Sequence, residues 1–176
     1  MVDKKLVISE TEIKQRVKEL GEAISKDYAG TPLVMIGILN GAFIFMADLA
    51  RQITMPVEID FVRASSYGEH SYSSGTISFT KDVELDITDK NVLLIEDIVD
   101  TGNTIVRLKE IFAARNPRSL KICTLINKTE RRETKVEIDY HGFTIEHGFL
   151  VGYGLDYAEQ HRHYPEIHHL LNPDQT

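Results

Sequence analysis

The side chains best able to do chemistry in this chain lie between positions 96 and 104. Glu96 and Asp97 follow four apolar residues, and a third carboxylate, Asp100, comes three positions after Asp97. The next four residues are small and polar: Thr101, Gly102, Asn103 and Thr104. A glycine lets the backbone approach an anion closely, and the free N–H groups at the start of a helix bind one well. The run therefore predicts a phosphate-binding loop in which two threonine hydroxyls are further donors.

The acidic pair next to this loop indicates what else the ligand carries. Carboxylates would repel further phosphate, but they accept hydrogen bonds from vicinal hydroxyl groups. A phosphate group beside a diol describes a ribose 5-phosphate. Without any ligand, each of these features taken alone could also be explained by a buried strand, an acidic turn and a capped helix. The three carboxylates within residues 96–100 and the adjoining loop together favour the ligand.

A strand before the loop and a helix after it would hold these residues in place. Residues 91–95 predict a buried strand, because positions 92 to 95 are all apolar. Residues 103–115 predict a helix with one apolar face, formed by Ile105, Leu108, Ile111 and Phe112. Open α/β sheets bind ligands at the carboxyl ends of their strands, which is where this loop would lie.

The rest of the sequence alternates between predicted strands and helices. A capping box at Ser9 and Glu12 starts the first helix. A second helix is predicted over 42–52, residues 65–75 predict a long loop, and further strands are predicted over 33–39, 57–62, 76–80, 120–126, 136–140 and 149–151. This alternation predicts an α/β fold with a mostly parallel twisted sheet and helices on both faces, in one domain over residues 1–176.

Composition and charge narrow the classes of function. The chain has 176 residues and a formal net charge of −7, which argues against a nucleic-acid-binding surface as its main function. An acidic protein that binds a polyphosphate needs counter-charge, and a divalent cation would supply it. The single cysteine, Cys123, lies in an apolar run and predicts a buried core thiol. No signal peptide or apolar stretch of membrane length is recognisable, so a cytoplasmic location is expected.

Two stretches carry a resemblance to a known family. The run Glu-Asp-Ile-Val-Asp-Thr-Gly at 96–102 resembles the phosphoribosyl-pyrophosphate (PRPP) signature of type I phosphoribosyltransferases, most closely their hypoxanthine-guanine branch. The run Gly-Phe-Leu-Val-Gly-Tyr-Gly-Leu-Asp-Tyr at 148–157 is similar to a second motif of that branch. The resemblance extends from the first strand to about Tyr164. It implies the type I phosphoribosyltransferase fold, in which N- and C-terminal segments add a small hood to the sheet.

The resemblance assigns roles to the loop and its neighbours. Asp100 would be the general base near N7 of the purine, while Glu96 and Asp97 would hold the ribose hydroxyls and a metal ion. The 5-phosphate would lie on the loop, and pyrophosphate would lie near Arg162 and on a second loop where the family usually has a cis peptide. These PRPP-binding positions are Thr101, Gly102, Asn103, Thr104, Leu39, Asn40 and Gly41. Because relatives carry a basic residue where this chain has Asn40, backbone N–H groups and metal would hold the pyrophosphate.

The resemblance also implies a purine site. Lys128 would donate to the 6-oxo group of the base and thereby reject 6-amino purines. Phe149 would stack on the base, and Leu150 would contact its edge through backbone groups. Asp156 would lie near the base and reach a second metal ion bound to pyrophosphate.

The activity that the resemblance implies is transfer of the 5-phosphoribosyl group from PRPP to hypoxanthine or guanine, with Mg2+ as cofactor. A flexible loop with Ser66 and Tyr67 would close over the reacting centre and exclude water. A homodimer or homotetramer is expected, with no nucleic-acid or membrane partner. Two alternatives stay open: a xanthine-accepting relative with other base contacts, and an RNA-binding regulator like the pyrimidine-operon attenuation proteins. The regulator needs a basic face, and the net charge of −7 argues against it.

Overall fold

The computed structural model describes residues 3–66 and 77–171. Strands and helices alternate through most of these ranges, as the sequence predicted. In chain order they are β1 (Lys4–Ile8), α1 (Glu10–Asp27), β2 (Leu33–Ile38), α2 (Phe43–Ala50), β3 (Val57–Ser66), β4 (Ile77–Lys81), β5 (Asn91–Val99), α3 (Asn103–Ala113), β6 (Ser119–Lys128), β7 (Tyr140–Ile145), β8 (Leu150–Val151) and β9 (Ile167–Leu170).

A six-stranded sheet forms the centre of the fold, with the strand order β4-β3-β2-β5-β6-β7. Neighbouring strands pair in parallel except β4, which runs antiparallel to β3. Every residue of β2 and the first five residues of β5 are buried, which explains the unbroken apolar runs of these central strands. The predicted mostly parallel α/β sheet is confirmed.

Helices cover both faces of this sheet. On one face, Ile13 of α1 and Phe45 of α2 belong to the same buried cluster as Leu93 of β5. On the other face, Phe112 of α3 belongs to a second cluster with Leu94 of β5. The predicted capping box is present at the start of α1. Because successive residues of β5 enter different clusters, the strand is held from both sides up to the point where its acidic residues begin.

A small antiparallel sheet, β1-β9-β8, joins segments from the two ends of the described chain. This is the hood that the family resemblance implied. The sequence did not predict β1 or β9, because both are short and rich in basic or histidine residues. The two strands pair with each other although they are far apart in the sequence, so no local pattern predicts the pairing.

The two strands that border the loop are longer than predicted. β5 continues through the acidic pair to Val99, and β6 continues to Lys128, because the two strands pair as far as Val99 and Asn127. Asp100 therefore follows β5 directly, and Lys128 is the last residue of β6. The extra length places both side chains at the same edge of the sheet.

The strand predicted over 136–140 is wrong, since β7 begins only at Tyr140. Val136 and Ile138 are partly buried against the cluster beneath α3 and lie outside the described strands. These apolar residues alternate with exposed ones because the segment is half-buried, and not because it pairs as a strand. The predicted burial of Cys123 is confirmed, and burial raises the pKa of its thiol. No helix in the described ranges is long and apolar enough to cross a membrane.

Candidate active site

Loops after three neighbouring strands lie side by side at the carboxyl end of the sheet. They follow β2, β5 and β6, which pair in parallel and therefore end at the same edge. A fourth segment, residues 152–162, packs on the loop after β2 through Gly154 and Gly41. Most of the residues that the sequence singled out lie on these four segments.

The loop after β5 encloses a cavity of about 140 Å3. α3 starts at Asn103 with Gly102 as its N-cap, so the positive end of the helix dipole lies at this cavity. The lining residues are Glu96, Ile98, Val99, Asp100, Thr101, Gly102, Thr104 and Ile105. The predicted phosphate-binding residues thus border one cavity, with the exception of Asn103.

Asn103 and Gly102 contact the segment that runs beside the loop. The Asn103 side-chain amide donates to Glu133 Oε2 at 2.6 Å, and its Oδ1 accepts from the Thr134 hydroxyl. A Cβ at position 102 would lie 2.7 Å from the Thr134 carbonyl oxygen, and φ there is +88°. Glycine is therefore required by the turn and by the neighbouring backbone, in addition to any close approach of an anion.

The acidic pair has two different neighbourhoods. Glu96 borders the cavity, and its Oε2 is buried with no hydrogen-bond partner among the described residues. Asp97 instead contacts the loop after β2, where a Cβ on Gly41 would lie 1.8 Å from Asp97 Oδ2. The structure therefore separates the surroundings of two carboxylates that the resemblance had assigned to one diol.

Burial changes the proton affinity of both carboxylates. Burial first, and then the charge of Asp97, raises the pKa of Glu96 well above its usual range. Burial also raises the pKa of Asp97 to about 6, although the Ile98 N–H and Arg162 act in the opposite direction. A cation or hydroxyl donors of a bound ligand would stabilise the charged forms of these two carboxylates, which burial disfavours.

The loop after β2 lies between Asp97 and the segment after β8. Its Leu39–Asn40 peptide is cis, as the resemblance implied. A Cβ on Gly154 would lie 2.1 Å from the Gly41 carbonyl oxygen, just as a Cβ on Gly41 would meet Asp97. Gly154 thus lets its segment pack on the backbone of the loop after β2, and Gly41 lets the Asp97 carboxylate lie against that loop, so the predicted pyrophosphate loop is next to Asp97.

Asp100, which borders the cavity, lies next to Lys128. Asp100 Oδ2 is 3.7 Å from Lys128 Nζ and 3.7 Å from a guanidinium nitrogen of Arg131. Asp100 Oδ1 is buried, with no hydrogen-bond partner within the described ranges. The Lys128 side chain is only 8% exposed. The predicted base and the predicted purine-binding lysine are therefore neighbours.

The second motif presents an exposed aromatic ring beside a buried strand. Phe149 is 42% exposed and meets the Tyr157 ring edge-on, with ring centroids 5.5 Å apart. Leu150 is buried in the core, so only its backbone could contact a ligand. A Cβ at Gly148 would lie 2.7 Å from His169 Nε2. A side chain at position 148 would therefore have to displace the His169 ring, and the backbone φ of +97° there also favours glycine.

Asp156 and Arg162 form an ion pair in the segment after β8. A guanidinium nitrogen of Arg162 lies 2.9 Å from Asp156 Oδ1, and another donates to the Gly154 carbonyl oxygen at 2.8 Å. Asp156 Oδ2 accepts from the Glu159 N–H at 3.0 Å. A metal ion at Asp156 would therefore compete with an arginine that already neutralises the carboxylate.

The carboxylates do not by themselves form a closed metal site. In residues 3–66 and 77–171, no group of three or more His, Cys, Asp or Glu side chains could hold a metal ion. Mg2+ is commonly bound through one or two carboxylates together with substrate phosphates. The buried, unpartnered oxygen of Glu96 and the raised pKa of Asp97 fit a cation that is shared with a substrate. Of the predicted flexible loop, β3 includes Ser66, whereas Tyr67 lies outside the described residues.

Sequence reasoning missed Arg132, which joins the ends of β5 and β6. Its guanidinium donates to the carbonyl oxygens of Val99, Asp100 and Lys128, each at 2.8 Å. These bonds set the spacing between the strand that leads into Asp100 and the strand that ends at Lys128. Arg131 precedes it and carries the same charge, so no local pattern distinguishes the two arginines.

Replacing Arg132 by methionine is expected to lower the free energy of unfolding by about 1.5–3 kcal/mol, because charged hydrogen bonds to partly buried carbonyls are lost. Urea unfolding followed by circular dichroism measures the change. Arg107→Met is a matched control, since Arg107 is an exposed residue of α3 whose ion pair with Glu110 stabilises by at most about 1 kcal/mol. Equal effects of the two substitutions would contradict the role given to Arg132.

A larger cavity, of about 400 Å3, opens at the opposite end of the sheet, beside the amino ends of β2 and β3. Its lining includes Pro32, Met55 and Pro56, and the carboxylate of Glu58 there is paired with Lys90 at 2.6 Å. This cavity offers an anionic substrate neither a helix N-terminus nor an unpaired cation. We therefore assign the candidate active site to the smaller cavity, which has the N-terminus of α3 beside it.

The chain belongs to the phosphoribosyltransferase family, because residues 8–158 match the model of the phosphoribosyl transferase domain. The match contains both motifs and all three of the loops at the carboxyl end of the sheet. The hypoxanthine phosphoribosyltransferase of Salmonella typhimurium is 46% identical over 164 residues, which cover 92% of each chain. The hypoxanthine-guanine phosphoribosyltransferase of Streptococcus pneumoniae is 45% identical, over 93% of this chain and 91% of that protein.

Solved structures give the same result for the fold. A crystal structure of a hypoxanthine-guanine phosphoribosyltransferase from Bacillus anthracis, with a HEPES molecule in its active site, has a TM-score of 0.90 and 42% identity, over 97% of this chain and 99% of that one. A hypoxanthine phosphoribosyltransferase from Staphylococcus aureus has a TM-score of 0.93 and 41% identity, over 98% of this chain and 94% of that one. The type I phosphoribosyltransferase fold is thereby confirmed.

Proposed function

We propose that this chain transfers the 5-phosphoribosyl group of PRPP to hypoxanthine or guanine, giving IMP or GMP and pyrophosphate. The observation that carries the proposal is the pair formed by Asp100 and Lys128, which lie 3.7 Å apart and of which Asp100 borders the phosphate-sized cavity. The pair combines an acceptor for the proton of a purine nitrogen with a donor for its 6-oxo group. Relatives of the chain that carry the names hypoxanthine and hypoxanthine-guanine phosphoribosyltransferase support the same substrates.

PRPP would bind across the loops that follow β5 and β2. Its 5-phosphate would lie in the cavity, on the first N–H groups of α3 and the hydroxyls of Thr101 and Thr104. Glu96, which borders the same cavity, would accept from the ribose hydroxyls. Pyrophosphate would lie on the loop of Leu39, Asn40 and Gly41, with Asp97 and Arg162 close by.

The reaction would be a displacement at C1 of ribose with oxocarbenium character. Asp100, whose Oδ1 has no hydrogen-bond partner among the described residues, would accept the N7 proton of the incoming base. Its negative charge would also stabilise the developing cation. General-base help of this kind is worth about 10²- to 10⁴-fold in rate. Phe149, exposed at the hood, would hold the base by stacking.

We propose Mg2+ as the cofactor. Bound to PRPP, the ion would neutralise the pyrophosphate and help it leave. Asp97 and Glu96 would be ligands shared with the substrate, and Asp156 would reach a second ion if Arg162 gives way. An acidic chain with a net charge of −7 needs such counter-charge to hold a polyanion.

Lys128 is expected to make the enzyme prefer 6-oxopurines. Its ammonium can donate to O6 of hypoxanthine or guanine, but it cannot accept from the amino group of adenine. A buried donor that faces another donor costs about 1–3 kcal/mol, so the specificity constant for adenine should be at least about tenfold lower. Xanthine should rank between them, because its 2-oxo group would face backbone acceptors near Leu150 and Asp156 that suit the 2-amino group of guanine.

Competitive steady-state kinetics with hypoxanthine, guanine, xanthine and adenine, at fixed PRPP and Mg2+, test this order and the proposed function together. Hypoxanthine and guanine should be consumed first, xanthine next and adenine last. Equal specificity constants for adenine and hypoxanthine would refute the role given to Lys128. A preference for xanthine would instead support the alternative that the chain is a xanthine-accepting phosphoribosyltransferase.

Other features of the proposal stay predictions. The chain is expected to act as one phosphoribosyltransferase domain over residues 1–176, as a homodimer or homotetramer, in the cytoplasm. Sedimentation velocity of the purified protein, with and without PRPP and Mg2+, measures the oligomeric state. A monomer under both conditions would contradict that part of the proposal.

A further inference from the structure

Glu130 is a second carboxylate close to the Lys128 ammonium, in addition to Asp100. Its Oε2 is 3.7 Å from Lys128 Nζ, the same distance that separates Lys128 Nζ from Asp100 Oδ2. The nearly buried ammonium is therefore attracted by two carboxylates at the same distance, each too far for a short hydrogen bond. Two comparable attractions keep the ammonium from pairing closely with either carboxylate and leave its protons available to a ligand.

The same carboxylate also contacts the hood. Glu130 Oε2 accepts from the Gly148 N–H at 3.4 Å, and Glu130 Oε1 lies 3.5 Å from His147 Nδ1. Gly148 directly precedes Phe149, the exposed ring next to the site. Glu130 thus contacts both parts of the candidate purine site. One part is Lys128, the cation proposed for the edge of the purine, and the other is the backbone next to Phe149, the ring proposed to stack on it.

We propose that Glu130 is a positioning residue for the purine, which keeps Lys128 aimed at the 6-oxo group by balancing the pull of Asp100. The inference rests on the proposed function and adds a specificity-determining residue to it. Without the negative charge of Glu130, Asp100 becomes the stronger attraction for the ammonium, and Lys128 moves towards it. A lysine that is closely paired with Asp100 presents fewer protons to O6 of the base.

The surroundings of Glu130 explain why a half-exposed carboxylate stays charged. Burial alone would raise the pKa of its carboxyl group, but the Gly148 N–H, Lys128 and His147 together hold the pKa below its usual range. Its side chain is 42% exposed, so the expected effect of its charge is modest. The effect should nevertheless be confined to the purine, because Glu130 lies outside the residues that border the phosphate cavity.

Glu130→Gln tests the proposal, since glutamine keeps an acceptor for the Gly148 N–H and removes only the charge. Glu146→Gln is the matched control: Glu146 lies 3.6 Å from the other nitrogen of the same His147, is 76% exposed, and is not an ion-pair partner of Lys128. In Glu130→Gln, the KM for hypoxanthine and for guanine should rise about fivefold. The KM for PRPP should stay within about twofold, and Glu146→Gln should match the wild type.

Calorimetric binding of GMP supplies a second readout that needs no turnover, because GMP carries the same 6-oxo group. Its dissociation constant should also rise about fivefold in Glu130→Gln and stay unchanged in Glu146→Gln. Unchanged hypoxanthine KM and GMP binding in Glu130→Gln would overturn the role of Glu130, and so would an equal rise in the KM for PRPP. A wild-type chain that neither binds GMP nor forms nucleotide would refute the proposed function itself.

Discussion

Asp100→Asn is expected to lower the rate of the chemical step by at least about tenfold while PRPP binding is kept. The asparagine amide fills the same space, but it cannot take up the proton of the incoming purine, which is the role proposed for the Asp100 carboxylate. It also removes the negative charge next to the reacting centre. The cavity is expected to keep its shape, because Arg132 donates to the backbone carbonyl oxygen of Asp100, which the substitution leaves in place.

Single-turnover measurements are required for this prediction, because product release often limits the steady-state rate of such enzymes. Enzyme in excess over PRPP, mixed rapidly with hypoxanthine and Mg2+, gives the rate of nucleotide formation directly. Asp89→Asn is a matched control, since Asp89 is exposed in the turn before β5 at the opposite end of that strand, and its positive φ suits asparagine. A chemical step in Asp100→Asn as fast as in this control would contradict the base role.

Removal of divalent metal is expected to abolish turnover. The chain carries a net charge of −7, and burial raises the pKa values of the Glu96 and Asp97 carboxyl groups, so a nearby cation would favour their charged forms. PRPP would add several further negative charges next to them. Without a cation, repulsion should prevent productive binding of the pyrophosphate group.

Activity in excess EDTA, followed by titration with MgCl2, measures this dependence. Activity should fall to background in EDTA and return in full when free Mg2+ is restored. The unfolding temperature without substrate should change little, because the described residues contain no closed metal site that would stabilise the fold. Full turnover in excess EDTA would show that the carboxylates act without metal, and the account of the acidic pair would then be wrong.

The phosphate loop was predictable because its information is local. An apolar strand, three carboxylates, a glycine and an amphipathic helix follow one another within residues 91–115, and each is visible in the sequence alone. The elements are found in that order, with β5 and α3 on either side of the loop. The parallel sheet followed from the same kind of pattern, repeated along the chain.

The neighbours of the loop were less predictable, because they depend on strand register. Asp100 and Lys128 meet only because β5 and β6 pair as far as Val99 and Asn127, beyond the apolar runs that predicted these strands. Arg132 and Glu130 lie in a charged stretch with several similar side chains, and only the three-dimensional contacts distinguish them. In the hood, β1 pairs with β9 although the two strands are separated by almost the whole length of the chain. A local sequence pattern cannot predict such a pairing.

The measurement that tests the account most directly is the stoichiometry of the reaction itself. Purified protein is incubated with hypoxanthine, PRPP and Mg2+, and IMP and pyrophosphate are quantified together by chromatography and a coupled enzymatic assay. The account predicts equal amounts of the two products, formed only when all three components are present. Release of pyrophosphate without nucleotide, or no product from hypoxanthine and from guanine under conditions in which PRPP binds, would contradict it.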